Sequence, residues 1–201
     1  MQDVPLSDHT RIREGTKVLG HVIGIVPADA NAVSQISFRF DQLSFSGHTI
    51  PITTALRAIA SFVEVEAAQI PITGPDRGTP SSAWTTTQVG GDTVYRGGGP
   101  VVAGSEIVGQ PTSGGVLGRL YSAPESKCAD ANESDDGPKA LWVFSAGACG
   151  TYGFANVVIA RSGRSDPFGE ITLASNRGKL AIPSGSGLLL RVINRGVEKT
   201  Y

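Results

Sequence analysis

Ile36, Phe38 and Phe40 alternate with Ser37, Arg39 and Asp41. Successive side chains of an extended chain point to opposite faces, so this run predicts a strand with one apolar and one polar face. Leu43 and Phe45 fall on the opposite parity, which requires a bulge or a twist near Asp41-Gln42 if the same face is to stay buried. Ser46-Gly47-His48 supplies a turn, and Ile50 and Ile52 open a return strand, so residues 35 to 53 read as a hairpin. Upstream, Val18 to Val26 is strand-like, and residues 1 to 10 have no periodicity and read as a flexible lead-in.

Thr54 to Gln69 fits two patterns. Leu56, Ile59, Val63 and Ala67 match a helical face, whereas Phe62-Val63-Glu64-Val65-Glu66 matches a strand. The β-branched run favours strand for Phe62 to Ala67, with a short helical turn before it. Near the C-terminus Ile171 and Leu173, then Leu180 and Ile182, then Leu188, Leu190 and Val192, form three alternating runs separated by turn residues, as in an antiparallel meander. Ala140 to Ala160 is uncharged and long enough to span a bilayer. Its glycine-rich centre instead divides it into two strands, Leu141 to Phe144 and Phe154 to Ala160, and no transmembrane span is assigned.

The stretch from 73 to 99 changes character, with Pro75, Gly78, Pro80, Gly90-Gly91 and Gly97-Gly98-Gly99 among threonines and serines. It reads as a long surface loop or a linker. Glycine and proline are abundant throughout, 26 and 12 of 201 residues, well above the average of about 12% for the pair. Turns are therefore frequent and long helices few. The expected fold is all-β, an antiparallel barrel or sandwich of short strands, forming one domain over residues 11 to 201.

One local pattern recurs three times: Ile12-Arg13-Glu14-Gly15-Thr16-Lys17-Val18-Leu19, Val101-Val102-Ala103-Gly104-Ser105-Glu106-Ile107-Val108 and Ile182-Pro183-Ser184-Gly185-Ser186-Gly187-Leu188-Leu189. In each a glycine free to take positive φ precedes a hydroxyl able to bond nearby backbone, and a strand follows. Gly15, Gly104 and Gly185 are thus expected as structural turns, at equivalent corners of a barrel or sandwich. Spacings of 89 and 81 residues are too long for a solenoid repeat.

Charge narrows the partners. With 17 Lys and Arg against 18 Asp and Glu, the net charge is −1, without the basic excess that nucleic-acid binding uses to displace counterions. Cys128 and Cys149 are the two cysteines, 21 positions apart and flanking the polar stretch from Asp130 to Gly137. A bridge closing such a loop is worth roughly 3 kcal/mol in the chain-entropy picture and suits an oxidising compartment. Met1 is followed by neither a basic nor an apolar leader segment, so no secretory signal is read in this chain.

No catalytic, cofactor or metal signature emerges. His9, His21 and His48 are the three histidines. His21 falls within a strand and reads as a hydrogen-bonded structural residue, His48 as a solvated turn residue. The chain lacks zinc-ligand spacing, a nucleophile elbow and phosphate-binding glycine motifs. The acidic stretch at 130–136 has Asp135 and Leu141 where a calcium-binding EF-hand loop needs glycine and glutamate.

Ile12 to Gly20, Ile36 to Leu43 and Gly47-His48-Thr49-Ile50-Pro51-Ile52, with the tail Ile182-Pro183-Ser184-Gly185-Ser186 through Leu190-Arg191-Val192-Ile193-Asn194-Arg195, resemble the barrel segment of TrbI-like conjugation proteins. The same order of segments is similar to uncharacterised secreted bacterial proteins. Together the matched pieces cover about a fifth of the chain. The resemblance implies a non-enzymatic module of the periplasm, the outer-membrane periphery or the secreted fraction, close to a membrane; the residues themselves assign no spanning segment and no cofactor. It implies contact with protein partners or with itself through exposed strand edges, whose unpaired backbone groups recruit another chain. A secreted hydrolase or carbohydrate-binding domain, stacking sugars on Trp84, Trp142 or Tyr95, is the alternative, although aromatics make up only 6% of the chain.

Overall fold

Among the described residues strands dominate, and one six-residue helix is the exception. The computed structural model describes residues 4–5, 11–13, 15–28, 33–45, 47–70, 85–91, 93–95, 101–103, 106–111, 117–120, 139–140, 143–145, 147–175 and 177–193. In chain order the elements are β1 (Val4–Pro5), β2 (Arg11–Ile12), β3 (Lys17–Val26), β4 (Ser34–Phe45), β5 (His48–Pro51), β6 (Thr54–Ala60) and the helix α1 (Phe62–Ala67). There follow β7 (Thr85–Thr87), β8 (Thr93–Tyr95), β9 (Val101–Ala103), β10 (Glu106–Pro111), β11 (Leu117–Leu120), β12 (Lys139–Ala140), β13 (Gly150–Tyr152), β14 (Val157–Arg161), β15 (Ile171–Ser175) and β16 (Gly187–Val192). The chain forms two compact units: Met1–Gly15 with Ala58–Gly153 and Pro183–Gly187, and Thr16–Arg57 with Phe154–Ile182 and Leu188–Tyr201.

The second unit is built on the antiparallel order β14-β15-β4-β3, with β5 also paired to β4. Period-two alternation on β4 sets its core face: Phe38 is buried and meets Phe40 edge-on, ring centroids 5.5 Å apart. Opposite them β15 aligns Ile171 with Phe38 and Leu173 with Ile36. Ile171 and Leu173 are fully buried, each contributing about 1.5–3 kcal/mol of apolar transfer. On the other face Ser37 and Thr172 bring their hydroxyls to 2.8 Å, a cross-strand pair that satisfies both. The expected hairpin is present, with Phe45 paired to His48 around Gly47 at φ 80°. Thr54, buried, donates from Oγ1 to the Phe40 carbonyl at 2.9 Å, and the Leu56 amide donates to Ser162 O at 2.8 Å.

In the first unit Ala58, Ile59 and Ala60 are fully buried and pair in parallel with Gly150, Thr151 and Tyr152 of β13. The Ser61 amide donates to Tyr152 O at 2.9 Å and the chain turns into α1. Val65 is the helix's buried residue, and Gly187 lies where an added Cβ would stand 2.9 Å from Val65 and 3.2 Å from the Phe144 ring. Val89 and Phe144 form a parallel bridge through Val89 N to Val143 O (2.7 Å) and Ser145 N to Val89 O (2.8 Å). β7 to β12 form a six-stranded antiparallel meander in sequence order, and β1 pairs with β2.

The all-β expectation holds at the level of class, and among the described residues the strands form four sheets. Several local expectations are corrected. Phe62–Ala67 is helix, not strand: Ser61, extended at φ −65° and ψ 161°, accepts the Glu64 amide on its hydroxyl at 3.4 Å and caps the helix, whereas the segment before it is the strand β6. The stretch expected as a loop at 73–99 contains β7 and β8, because its threonines and valines pair with one another. Val4–Pro5 of the expected lead-in is paired to Arg11–Ile12. The three C-terminal runs do not form a meander: β15 lies between β14 and β4, β16 lies beside β6, and the run at Leu180 and Ile182 is not a strand. Of the strands expected at Leu141–Phe144 and Phe154–Ala160, residues 141 and 142 lie outside the described residues, and the second is β14, shifted to Val157–Arg161.

Candidate functional site

β3 is the last strand of its sheet and all ten of its residues are exposed. One edge is hydrogen-bonded to β4 from Lys17↔Ser44 to Val26↔Gln35; among the described residues nothing pairs with the other. An antiparallel strand directs alternate pairs of N–H and C=O groups to each side, so the outer edge carries a row of donors and acceptors that no described strand pairs. Its side chains are unusual for such a position. Val18, Leu19, Val22, Ile23, Ile25 and Val26 are all exposed, Val22 at 54% and Ile25 at 69%. Scattered surface aliphatics require no explanation, but six on one edge strand, distributed over both of its faces, are a concentration of the kind that accompanies interaction surfaces.

Two irregularities shape the β3–β4 ladder. Between Leu19 and Gly20 the partner register jumps from Gln42 to Phe40, leaving Asp41 as the extra residue on β4, at the position where the parity change in the sequence required a bulge. Gly20 faces this bulge so closely that a Cβ would overlap the Arg39 carbonyl oxygen. Between Val22 and Gly24 the extra residue is Ile23 of β3 itself. Lys17–Val22 therefore remains an uninterrupted run on the open side.

The bulged Asp41 serves the polar face. Its Oδ2 lies 3.1 Å from Nδ1 of His21, whose side chain is 59% exposed, and Arg39 approaches Glu170 at 4.0 Å. His21 is thus a partnered surface residue on a strand, and His48 is an exposed residue of β5. The Arg39–Glu170 pair is half-buried and the His21–Asp41 contact more open, and near a surface such ion pairs are worth about 0–1 kcal/mol. Among the described residues no group of three or more His, Cys, Asp or Glu side chains could hold a metal ion. No described helix is long and apolar enough to cross a membrane.

The expected turn glycines are only partly on view. Gly15, at φ 79°, lies two residues before the start of β3, and Gly185, at φ 85°, two residues before the start of β16. Ser186 Oγ donates to the Pro183 carbonyl at 2.7 Å, the local hydroxyl bond the motif implied. The two turns differ in surroundings: a Cβ on Gly15 would meet nothing within 4 Å, whereas one on Gly185 would lie 2.5 Å from the Phe62 ring. Gly104, Cys128, Trp84, Trp142, His9 and the acidic stretch at 130–136 lie outside the described residues. Cys149 is described, its amide donating to the Tyr152 hydroxyl at 3.0 Å, and no described cysteine carries a free thiol.

No protein-family model, curated protein or solved structure matches the chain.

Proposed function

We propose that this chain is a non-enzymatic structural and protein-interaction module that binds through strand addition at the open edge of β3. The reading rests on one observation: a ten-residue edge strand whose side chains are all exposed and mostly aliphatic. Monomeric sheets ordinarily blunt their edges with charge, proline, bulges or short length; β3 has Lys17 at its first position, His21 within, one bulge at Ile23 beyond the Lys17–Val22 run, and no proline. The fitting ligand is an extended, apolar polypeptide segment, which contributes backbone hydrogen bonds for affinity and alternate side chains for selectivity.

The short strands joined by glycine turns support a barrel or sandwich of the kind the resemblance to TrbI-like proteins implies. A Cys128–Cys149 bridge, consistent with the absence of a free described thiol, supports a periplasmic, outer-membrane-associated or secreted setting.

The test is a titration of dilute protein with a fluorescent, lysine-flanked peptide of alternating valine and threonine, followed by anisotropy and amide hydrogen exchange. Saturable binding with slowing of the outward-facing β3 amides by about tenfold or more is expected, since a new hydrogen bond must open before exchange. Unchanged β3 exchange at peptide excess would overturn the proposal.

A further inference from the structure

We infer that the occupant of the β3 edge is a second copy of this chain, joined by antiparallel β3-to-β3 pairing about a two-fold axis. The inference rests on the edge-binding reading above and names its partner. Three features of the sheet select a second copy over any other described surface of this protein.

Length comes first. Among the described strands only β3 and β4 reach ten residues, and β4 is already paired on both sides, to β3 on one and to β15 and β5 on the other. The one open edge that matches β3 along its length is another β3.

The opposite edge of the same sheet provides the contrast. β14 has five residues, its pairing slips between Ile159 and Arg161, and the Arg161 guanidinium donates to the Asp166 carbonyl at 2.7 Å. Short length keeps an edge from recruiting strands, and β14 is half as long as β3; a bulge and a cation are common to both edges. A head-to-tail β3-to-β14 contact would also propagate into an open fibre, whereas β3-to-β3 pairing consumes each edge once and closes.

Charge decides the direction. Lys17 is the only lysine or arginine on β3, and the strand carries no acid. Parallel alignment would set the two ammonium groups side by side, about 5 Å apart. Antiparallel alignment of the two Lys17–Val22 runs places them at opposite ends, roughly 17 Å apart along the strand, beyond a Debye length of about 8 Å at physiological salt. In that register Leu19 meets Gly20 at the centre, Val18 meets His21, and the exposed Val22 meets the partner's Lys17.

The experiment is light scattering with native mass spectrometry on the whole chain from low to high micromolar concentration, for wild type, Val22→Lys and the control Val63→Lys. Val22 and Val63 are both exposed, at 54% and 69%, so neither change removes a core contact. Wild type and Val63→Lys are expected to pass from monomer to dimer with rising concentration, and Val22→Lys to associate about tenfold more weakly or worse, which corresponds to about 1.4 kcal/mol. In parallel, β3 amides of the wild type should exchange more slowly as concentration rises, a readout independent of any variant. A wild type that stays monomeric, with β3 exchange independent of concentration, overturns the second-copy assignment. Peptide binding at β3 would then still uphold the broader edge reading, and its failure would remove both. A dimer of undiminished strength in Val22→Lys also overturns the assignment.

Discussion

Gly20 gives the most discriminating test of the edge geometry. It faces the bulged segment of β4, and a Cβ added there would overlap Arg39 O and lie 2.8 Å from Arg39 C and 3.0 Å from Phe40 Cα. All three atoms are backbone, so no rotamer change relieves the clash. In Gly20→Ala the strands must separate at the bulge. Losing about two ladder hydrogen bonds at ~1 kcal/mol each, with residual strain of about 1–2 kcal/mol, and regaining ~0.4–1 kcal/mol from the stiffer unfolded chain, leaves a net cost of about 2–3 kcal/mol. Gly24 is the internal control, because on the same strand its added Cβ meets nothing within 4 Å. Gly24→Ala is therefore expected to be neutral or stabilising by up to ~1 kcal/mol. Urea unfolding of both variants, with residue-resolved amide exchange on β3 and β4, measures the difference. Equal stabilities for the two variants would refute the close approach of β3 to the Arg39 carbonyl, and with it the bulged register.

Leu173→Ala, emptying a fully buried position, should cost about 3–5 kcal/mol by calorimetry, whereas Val158→Ala on the exposed side of β14 should cost under ~1 kcal/mol. Thr54→Val keeps the shape but removes the 2.9 Å donor to Phe40 O, so denaturant titration should show a loss of about 1–3 kcal/mol. Ser61→Ala deletes the hydroxyl cap of α1 and is expected to lower stability by about 1 kcal/mol, with faster exchange at the Glu64 amide. Thiol titration of denatured, unreduced protein should detect no free sulfhydryl, and reduction should cost roughly 3 kcal/mol; two titratable thiols would remove the proposed Cys128–Cys149 bridge.

The hairpin over residues 35–53 and the bulge at Asp41 were legible because each is a local consequence of period-two alternation: a parity change between Phe40 and Leu43 has one structural remedy. The helix at Phe62–Ala67 carried a signal too. Ser61 and Glu64 have capping-box spacing, and that cue outweighs the β-branched run, since Val63 and Val65 are tolerated in a helix at small cost. β7 and β8 were hidden by glycine and proline around them, which report where a chain turns and say little about whether the segments between turns find partners.

Alternation along one segment describes that segment's two faces; it is silent about which distant segment arrives beside it. β15 pairs with β4 across more than a hundred residues, and β13 joins β6 in parallel, pairings decided by loop closure and shared burial. The same holds for the edge proposed to carry function. Lys17–Val26 reads in isolation like any apolar strand destined for a core. Its exposure arises because β4 accepts β15 and β5 on its far side, so that β3 ends the sheet, and a chain's neighbours are a property of the assembled sheet, encoded in no short stretch of residues.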